Sequence, residues 1–250
     1  MNTAITGLIL LFVSFGLQKP LLSQDKGLLV YGSSGPLGPM KECGEVFSKY
    51  HGIEVKVVGG PVSDWIAQAE VDADIIFGGA EYILTQIIND HPNLIDKATR
   101  TSLYVRAVGV LVRKGNPKQI KSLVDLTRGD MRLLVVNGVT QQGLWEDTAS
   151  TKDLVQTIQR RILISVPTSE EAIKKWKSNP GLDAWITYES WHYRLKDVTD
   201  LVQLPVQERI HRGTPIAVTK STKNREMAKE FMAFLKTDAG HAVFQKWGWK

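Results

Sequence analysis

Few residues in this sequence have both the type and the spacing for chemistry, and most familiar motifs are absent. No Gly-Lys-Ser/Thr occurs, so the phosphate loop of nucleotide hydrolases is missing. Gly32-Ser33-Ser34-Gly35 is not a Gly-x-Ser-x-Gly nucleophile elbow. Glycines 32, 35 and 38 are misplaced for a dinucleotide fingerprint. Histidines 51, 91, 192, 211 and 241 are scattered and form no paired metal motif. Asp72 and Asp74 bracket the entry to a strand, where capping explains them better than metal binding. The single cysteine, Cys43, shares a helical stripe with Met40, Phe47 and Tyr50 and reads as core. We expect no catalytic set, no metal and no cofactor.

What remains is a set of loops rich in Gly, Ser and Thr, each placed between a predicted strand and a predicted helix. They are Gly32-Ser33-Ser34-Gly35, Gly59-Gly60-Pro61-Val62-Ser63, Gly78-Gly79-Ala80 and Asn137-Gly138-Val139-Thr140. In α/β sheets ligands bind at the carboxyl ends of strands. A helix N-terminus offers unpaired N–H groups and partial positive charge. Glycine admits close backbone approach, and serine adds a hydroxyl donor. Each loop alone also fits a tight turn with an N-cap; loops from both halves of the chain together favour a shared anion site. Arg106 adds a second signal, because it interrupts an otherwise apolar strand, and a buried guanidinium needs a partner. That partner is either a bound anion or a nearby acid.

The elements that must position these residues alternate along the chain. Strands are predicted at 27–31, 53–57, 73–77, 103–113, 131–136, 162–166, 184–187 and 216–219. Helices are predicted around Cys43 and over 64–71, 81–90, 143–148, 170–177 and 224–235, with a terminal one near Trp247. Ser63 is placed to cap the helix at 64–71, and Thr168 or Ser169 the one at 170–177. Repeated strand-turn-helix units imply an α/β fold.

The chain has 250 residues, enough for one large core or two of roughly 100 residues each. Ala4 to Leu17 is 14 residues without charge, shorter than the roughly 20 of a membrane-spanning helix and suited to a signal peptide ending near residue 24. Lys+Arg number 31 and Asp+Glu 26, a surplus of +5. Loss of one lysine, Lys19, with residues 1–24 leaves +4, too small and dispersed to name a nucleic-acid partner. With one cysteine an internal disulfide is impossible, so the exported chain must rely on its cores.

Several motifs together resemble the type 2 periplasmic solute-binding proteins, in particular the accessory colonisation factor C family and the sulfate- and molybdate-binding proteins. They are Tyr31-Gly32-Ser33-Ser34-Gly35-Pro36, Ala73-Asp74-Ile75-Ile76-Phe77-Gly78-Gly79, Leu103-Tyr104-Val105-Arg106, Lys114-Gly115-Asn116-Pro117, Gly143-Leu144-Trp145-Glu146-Asp147 and Asp183-Ala184-Trp185-Ile186-Thr187. The resemblance implies two lobes, each a mixed sheet flanked by helices, joined by a two-strand hinge. Lobe 1 would hold residues 25–108 and 214–250, lobe 2 residues 109–213. Ser33, Ser34, Gly35, Ser63 and Gly79 would grip a ligand from the first lobe. Gly138, Val139, Thr140 and Thr187 would do so from the second, with Trp191 nearby. Arg212, where the chain crosses back to the first lobe, would join Arg106 to bind a carboxylate or phosphonate through forked hydrogen bonds, unless a nearby acid claims either arginine. Trp176, Trp247 and Trp249 read as structural.

The resulting expectation is an extracytoplasmic, monomeric, non-enzymatic protein that captures a small anion between its lobes for an ABC-type permease. The alternatives are a sensory or colonisation factor feeding a chemoreceptor and, less favoured, an enzyme on the same scaffold.

Overall fold

A computed structural model describes residues 27–250. The apolar segment and cleavage region expected within residues 1–24 lie outside the described residues. Within them, the elements run β1 (Leu28–Gly32), α1 (Leu37–His51), β2 (Val55–Gly59), α2 (Ile66–Asp72), β3 (Ile75–Phe77), α3 (Glu81–Asp90) and β4 (Thr101–Arg113). There follow β5 (Leu133–Val136), α4 (Leu144–Ser150), α5 (Val155–Gln159), β6 (Ile162–Val166), α6 (Ser169–Ser178), β7 (Ala184–Tyr188) and α7 (Ser190–Leu195). The chain closes with β8 (Thr199–Val202), β9 (His211–Val218), α8 (Arg225–Leu235) and α9 (Asp238–Lys246).

The strands order as β2-β1-β3-β9-β4-β7-β5-β6, with β8 added on β4. β1 pairs in parallel with β2 and β3, as the strand-turn-helix repeats require. β9 returns antiparallel between β3 and β4, and β7 runs parallel to β5. Each half of the molecule therefore carries a mixed sheet. β4 belongs to both. Its first residues, Thr101 to Ala107, pair with β9, and Val108 to Val112 pair with β7. The chain thus crosses between lobes on β4 and recrosses on β9, and these two strands are the hinge.

Alternation along the first-lobe strands builds two cores from one sheet. Leu28, Val30, Ile75, Phe77, Ile216 and Val218 face α1, α8 and α9, packing on Met40, Cys43, Phe47, Phe231 and Phe244. Leu29, Tyr31, Ile76 and Ala217 face the other way, onto Ile83, Leu84 and Ile87 of α3. The second lobe has its own core, from Val108 to Leu204, centred on Trp176, Trp185 and the β5 run Leu133–Val136.

Cys43 lies within the first core, and burial pushes its thiol up to about 12. Tyr50 departs from its predicted stripe. It sits in the last turn of α1, beyond the sheet, and is 80% exposed. Asp72 and Asp74 hold neighbouring elements to β1: Asp74 accepts from the Leu29 backbone N–H at 2.8 Å, and Asp72, at the end of α2, accepts from the Tyr31 hydroxyl at 2.9 Å. Among the described residues no helix is long and apolar enough to cross a membrane.

Candidate functional site

Five strand ends converge where the lobes meet. The turn after β1 brings Ser33, Ser34 and Gly35, and the turn after β3 brings Gly79. Across from them stand the loop after β5, the turn after β6 and the end of β7. Ser34, Gly35 and Pro61 of the first lobe and Thr140, Thr168, Ser169 and Glu170 of the second line one pocket. Its volume is about 10 Å³, the room of a single water at most. The lobes touch at Gly79, where a Cβ would lie only 2.4 Å from Thr140 Cγ2.

Arg106 is the floor of this junction. It is wholly buried on β4. Its Nη2 donates to the Gly79 carbonyl at 2.7 Å, while Nε and Nη1 have no hydrogen-bond partner among the described residues. Among the described residues no carboxylate lies within ion-pair distance of it. Gly35 leaves the space that the guanidinium fills, since a Cβ there would sit 2.3 Å from Nη1. The Tyr188 ring centroid is 3.7 Å from Cζ, and Trp249 lies at 5.6 Å. Burial lowers the pKa of the guanidinium, but an arginine side chain keeps its charge at neutral pH. A buried cation with two unsatisfied N–H groups is costly unless an anion meets it.

Arg212 has a different fate. It stands opposite Arg106 in the β4–β9 register, but its Nη2 lies 2.6 Å from Asp147 Oδ2. Asp147 is in the first turn of α4, so the pair ties hinge strand β9 to the second lobe. The acid that could have answered either arginine answers only this one.

The hydroxyl groups divide similarly. Ser33 is buried, and its Oγ accepts from the Gly79 N–H at 3.0 Å, which leaves its own proton to donate. The Gly79 N–H is thereby used, and Gly79 serves through its carbonyl. In the second lobe the Thr187 hydroxyl donates to Gln141 Oε1 at 2.8 Å, and Gln141 Nε2 donates to Ser169 Oγ at 2.8 Å. Tyr188 donates to the Thr140 carbonyl at 2.7 Å. Gly138 and Val139 open the short turn that carries Thr140 and Gln141.

Ser63 does not join this group. It is exposed and donates to Asp64 Oδ1 at 3.1 Å, and it lines a separate groove with Gln86 and Asp90 of α3. Nor does it cap α2, because a short 3-10 turn over Val62–Asp64 intervenes. Trp191 is buried against Trp185 at a centroid distance of 6.4 Å, and Arg194 lies over its outer face at 4.6 Å.

Four residues at the junction had no sequence signal. Arg194 donates across the cleft to the Ser34 carbonyl at 3.4 Å. Tyr82, in the first turn of α3, reaches toward Gln142 of the other lobe, and burial pushes its hydroxyl up to about 12. Tyr188 and Trp249 flank Arg106. No cluster of three or more His, Cys, Asp and Glu that could hold a metal exists among the described residues.

Comparison with known proteins agrees with this architecture. PEB3 with L-phospholactate bound is 28% identical, with a TM-score of 0.82 over 89% of this chain and 99% of that one. Peb3 from Campylobacter jejuni is 27% identical, with a TM-score of 0.80 over the same shares. The sulfate-binding protein SubI from Mycobacterium tuberculosis H37Rv shares the fold, at 17% identity and a TM-score of 0.74, over 90% of this chain and 86% of that one. YvgL of Bacillus subtilis (strain 168), described as an ABC transporter substrate-binding lipoprotein, is 23% identical over 177 residues, 70% of this chain. That match spans 66% of YvgL, just under two thirds of its length. The model of the bacterial extracellular solute-binding proteins matches residues 28–250, and the chain belongs to that family.

Proposed function

We propose that this protein captures a small anion between its lobes outside the cytoplasm and delivers it to an ABC-type permease, with Arg106 as the anchor. The observation that carries the reading is the fully buried guanidinium whose Nε and Nη1 have no hydrogen-bond partner among the described residues, beside a hydroxyl-lined interlobe pocket. Nε and Nη1 lie on different edges of the guanidinium plane, and a carboxylate or phosphoryl group can accept from either of them together with the second N–H of Nη2 as a fork. The hydroxyl of Ser33 supplies a neutral donor beside it, with Ser34 and Thr168 on the pocket wall. L-phospholactate, the ligand of the PEB3 structure, carries both a phosphoryl and a carboxylate group. It supports an organic anion over a purely inorganic one.

The two bodies that close on the ligand are taken as residues 25–108 with 214–250, and residues 109–213. Separate hydrophobic cores on either side of β4 support this division. The protein acts as a monomer and carries out no reaction; closure itself is the output, read by the membrane partner. Export through residues 1–24 agrees with the family's extracellular character. The description of YvgL favours transport over sensing.

Calorimetry on the purified protein tests this directly. The panel is sulfate, thiosulfate, molybdate, phosphate, small mono- and dicarboxylates, and L-phospholactate. Binding of a small anion that is lost in Arg106→Gln is the expected result. Tight binding only to a sugar or a cation, or unchanged anion affinity in the variant, overturns the assignment.

A further inference from the structure

To serve a ligand as a fork, the Arg106 guanidinium must keep its plane at one angle. Its hydrogen bond to the Gly79 carbonyl holds one nitrogen and does not by itself set the tilt of the plane. Among the described residues no carboxylate completes the restraint, as one would in an ordinary bidentate ion pair. Two aromatic rings flank the group instead, one from each lobe's core: Tyr188 at 3.7 Å and Trp249 at 5.6 Å.

Both rings are tied down. Tyr188 donates to the Thr140 carbonyl, and Trp249 Nε1 donates to Thr214 Oγ1 at 3.0 Å. The backbone next to Trp249 is fixed to the strand that bears the arginine. Lys250 donates to the Val105 carbonyl at 2.8 Å, and Val105 donates back to Lys250 at 3.3 Å. Trp249 is therefore delivered to Arg106 by a ladder one residue away from it. The Phe244 ring meets Trp249 edge-on at 5.9 Å, which backs the indole from the core side.

We propose that Trp249 is a positioning residue for ligand binding: with Tyr188 it sets the plane of the Arg106 guanidinium so that the unpartnered N–H groups are presented to the anion. The inference rests on the reading of Arg106 as the anchor and gives that anchor its orientation. Trp249 itself contacts no ligand.

The test is a double-mutant cycle by calorimetry, with the tightest binder among L-phospholactate, inorganic phosphate and sulfate as the probe. Trp249→Met keeps most of the volume and removes the π face. It is expected to weaken binding about tenfold or more, while Trp249→Phe, which retains a ring, stays within about threefold of wild type. In Trp249→Met with Arg106→Gln the loss is expected to equal that of Arg106→Gln alone, because the ring acts only through the arginine. Full affinity in Trp249→Met, or additive losses in the double variant, overturns the inference and leaves the anchor standing. Unchanged affinity in Arg106→Gln, or no binding of any of the three probes, overturns the anchor as well. If Trp249→Met does not fold, Thr214→Val unties the indole while leaving it in place. About threefold weaker binding then supports the role, and unchanged affinity refutes it.

Discussion

Replacing Gly79 by Ala tests whether closure contributes to affinity. The backbone at Gly79 is not in the left-handed region, so alanine adds no conformational strain there. The added methyl would sit 2.4 Å from Thr140 Cγ2, 3.1 Å from Thr140 Cβ and 3.2 Å from Ser33 Cβ. Carbon atoms in ordinary contact are about 3.5–4 Å apart, so the lobes must part by about 1 Å at that point. A well-packed contact forced open in this way costs about 1–3 kcal/mol, or roughly 5- to 150-fold in the dissociation constant. The Thr140 contacts lie across the cleft and the Ser33 contact within the first lobe, so Gly79→Ala should lower affinity by more than it lowers thermal stability. Calorimetry of Gly79→Ala reads the loss. Thr140→Ser, which deletes Cγ2, should restore at least threefold in the double variant. Wild-type affinity in Gly79→Ala, or a double variant no better than the single one, would refute the idea that this contact limits closure.

Other outcomes follow from the same geometry. Arg212→Gln should leave anion affinity within about threefold, since its guanidinium is already paired with Asp147, and a loss approaching that of Arg106→Gln in calorimetry would put Arg212 in the site. Cys43 should resist thiol reagents in the native protein and react after unfolding. The Cys43 thiol and the Tyr31 and Tyr82 hydroxyls each hold their proton to about 12 in the folded state, above ordinary values of 9.0 and 10.0. The stability they contribute is complete below pH 9 and is lost as pH rises toward 12, which denaturant titrations at pH 8 and 10.5 would detect. Asp74→Ala strips the buried acceptor from the Leu29 N–H and should lower unfolding free energy by about 1–3 kcal/mol, with ligand affinity unchanged once folded.

Much of the fold was legible because its local signals agree. α3 and β6 have the limits their patterns predict, and Thr168 caps α6 by accepting from the Glu171 N–H. α7 and β8 escaped notice. Each is short, four to six residues, and takes its form from packing on β4 and β7, not from a repeat of its own. Arg106 was legible because a charge in an apolar strand is a local anomaly. The fate of Arg212 was not, because Asp147 lies 65 residues away in sequence. Trp249 read as structural for a related reason. It does pack in the first-lobe core, and only the backbone pairing of Lys250 with Val105 reveals what its other face meets.

The placement of Arg106 on β4 has a kinematic consequence. When two rigid bodies rotate about a pair of crossing strands, atoms on the axis hardly move and those at the cleft rim travel farthest. Arg106 sits next to the point where β4 passes from pairing with β9 to pairing with β7. If Arg106 is the anchor proposed above, an incoming anion would meet its cation in the open molecule at almost the same position as in the closed one. On that reading capture would precede the swing of the lobes, and the long-range attraction that guides the ligand in would not wait for closure.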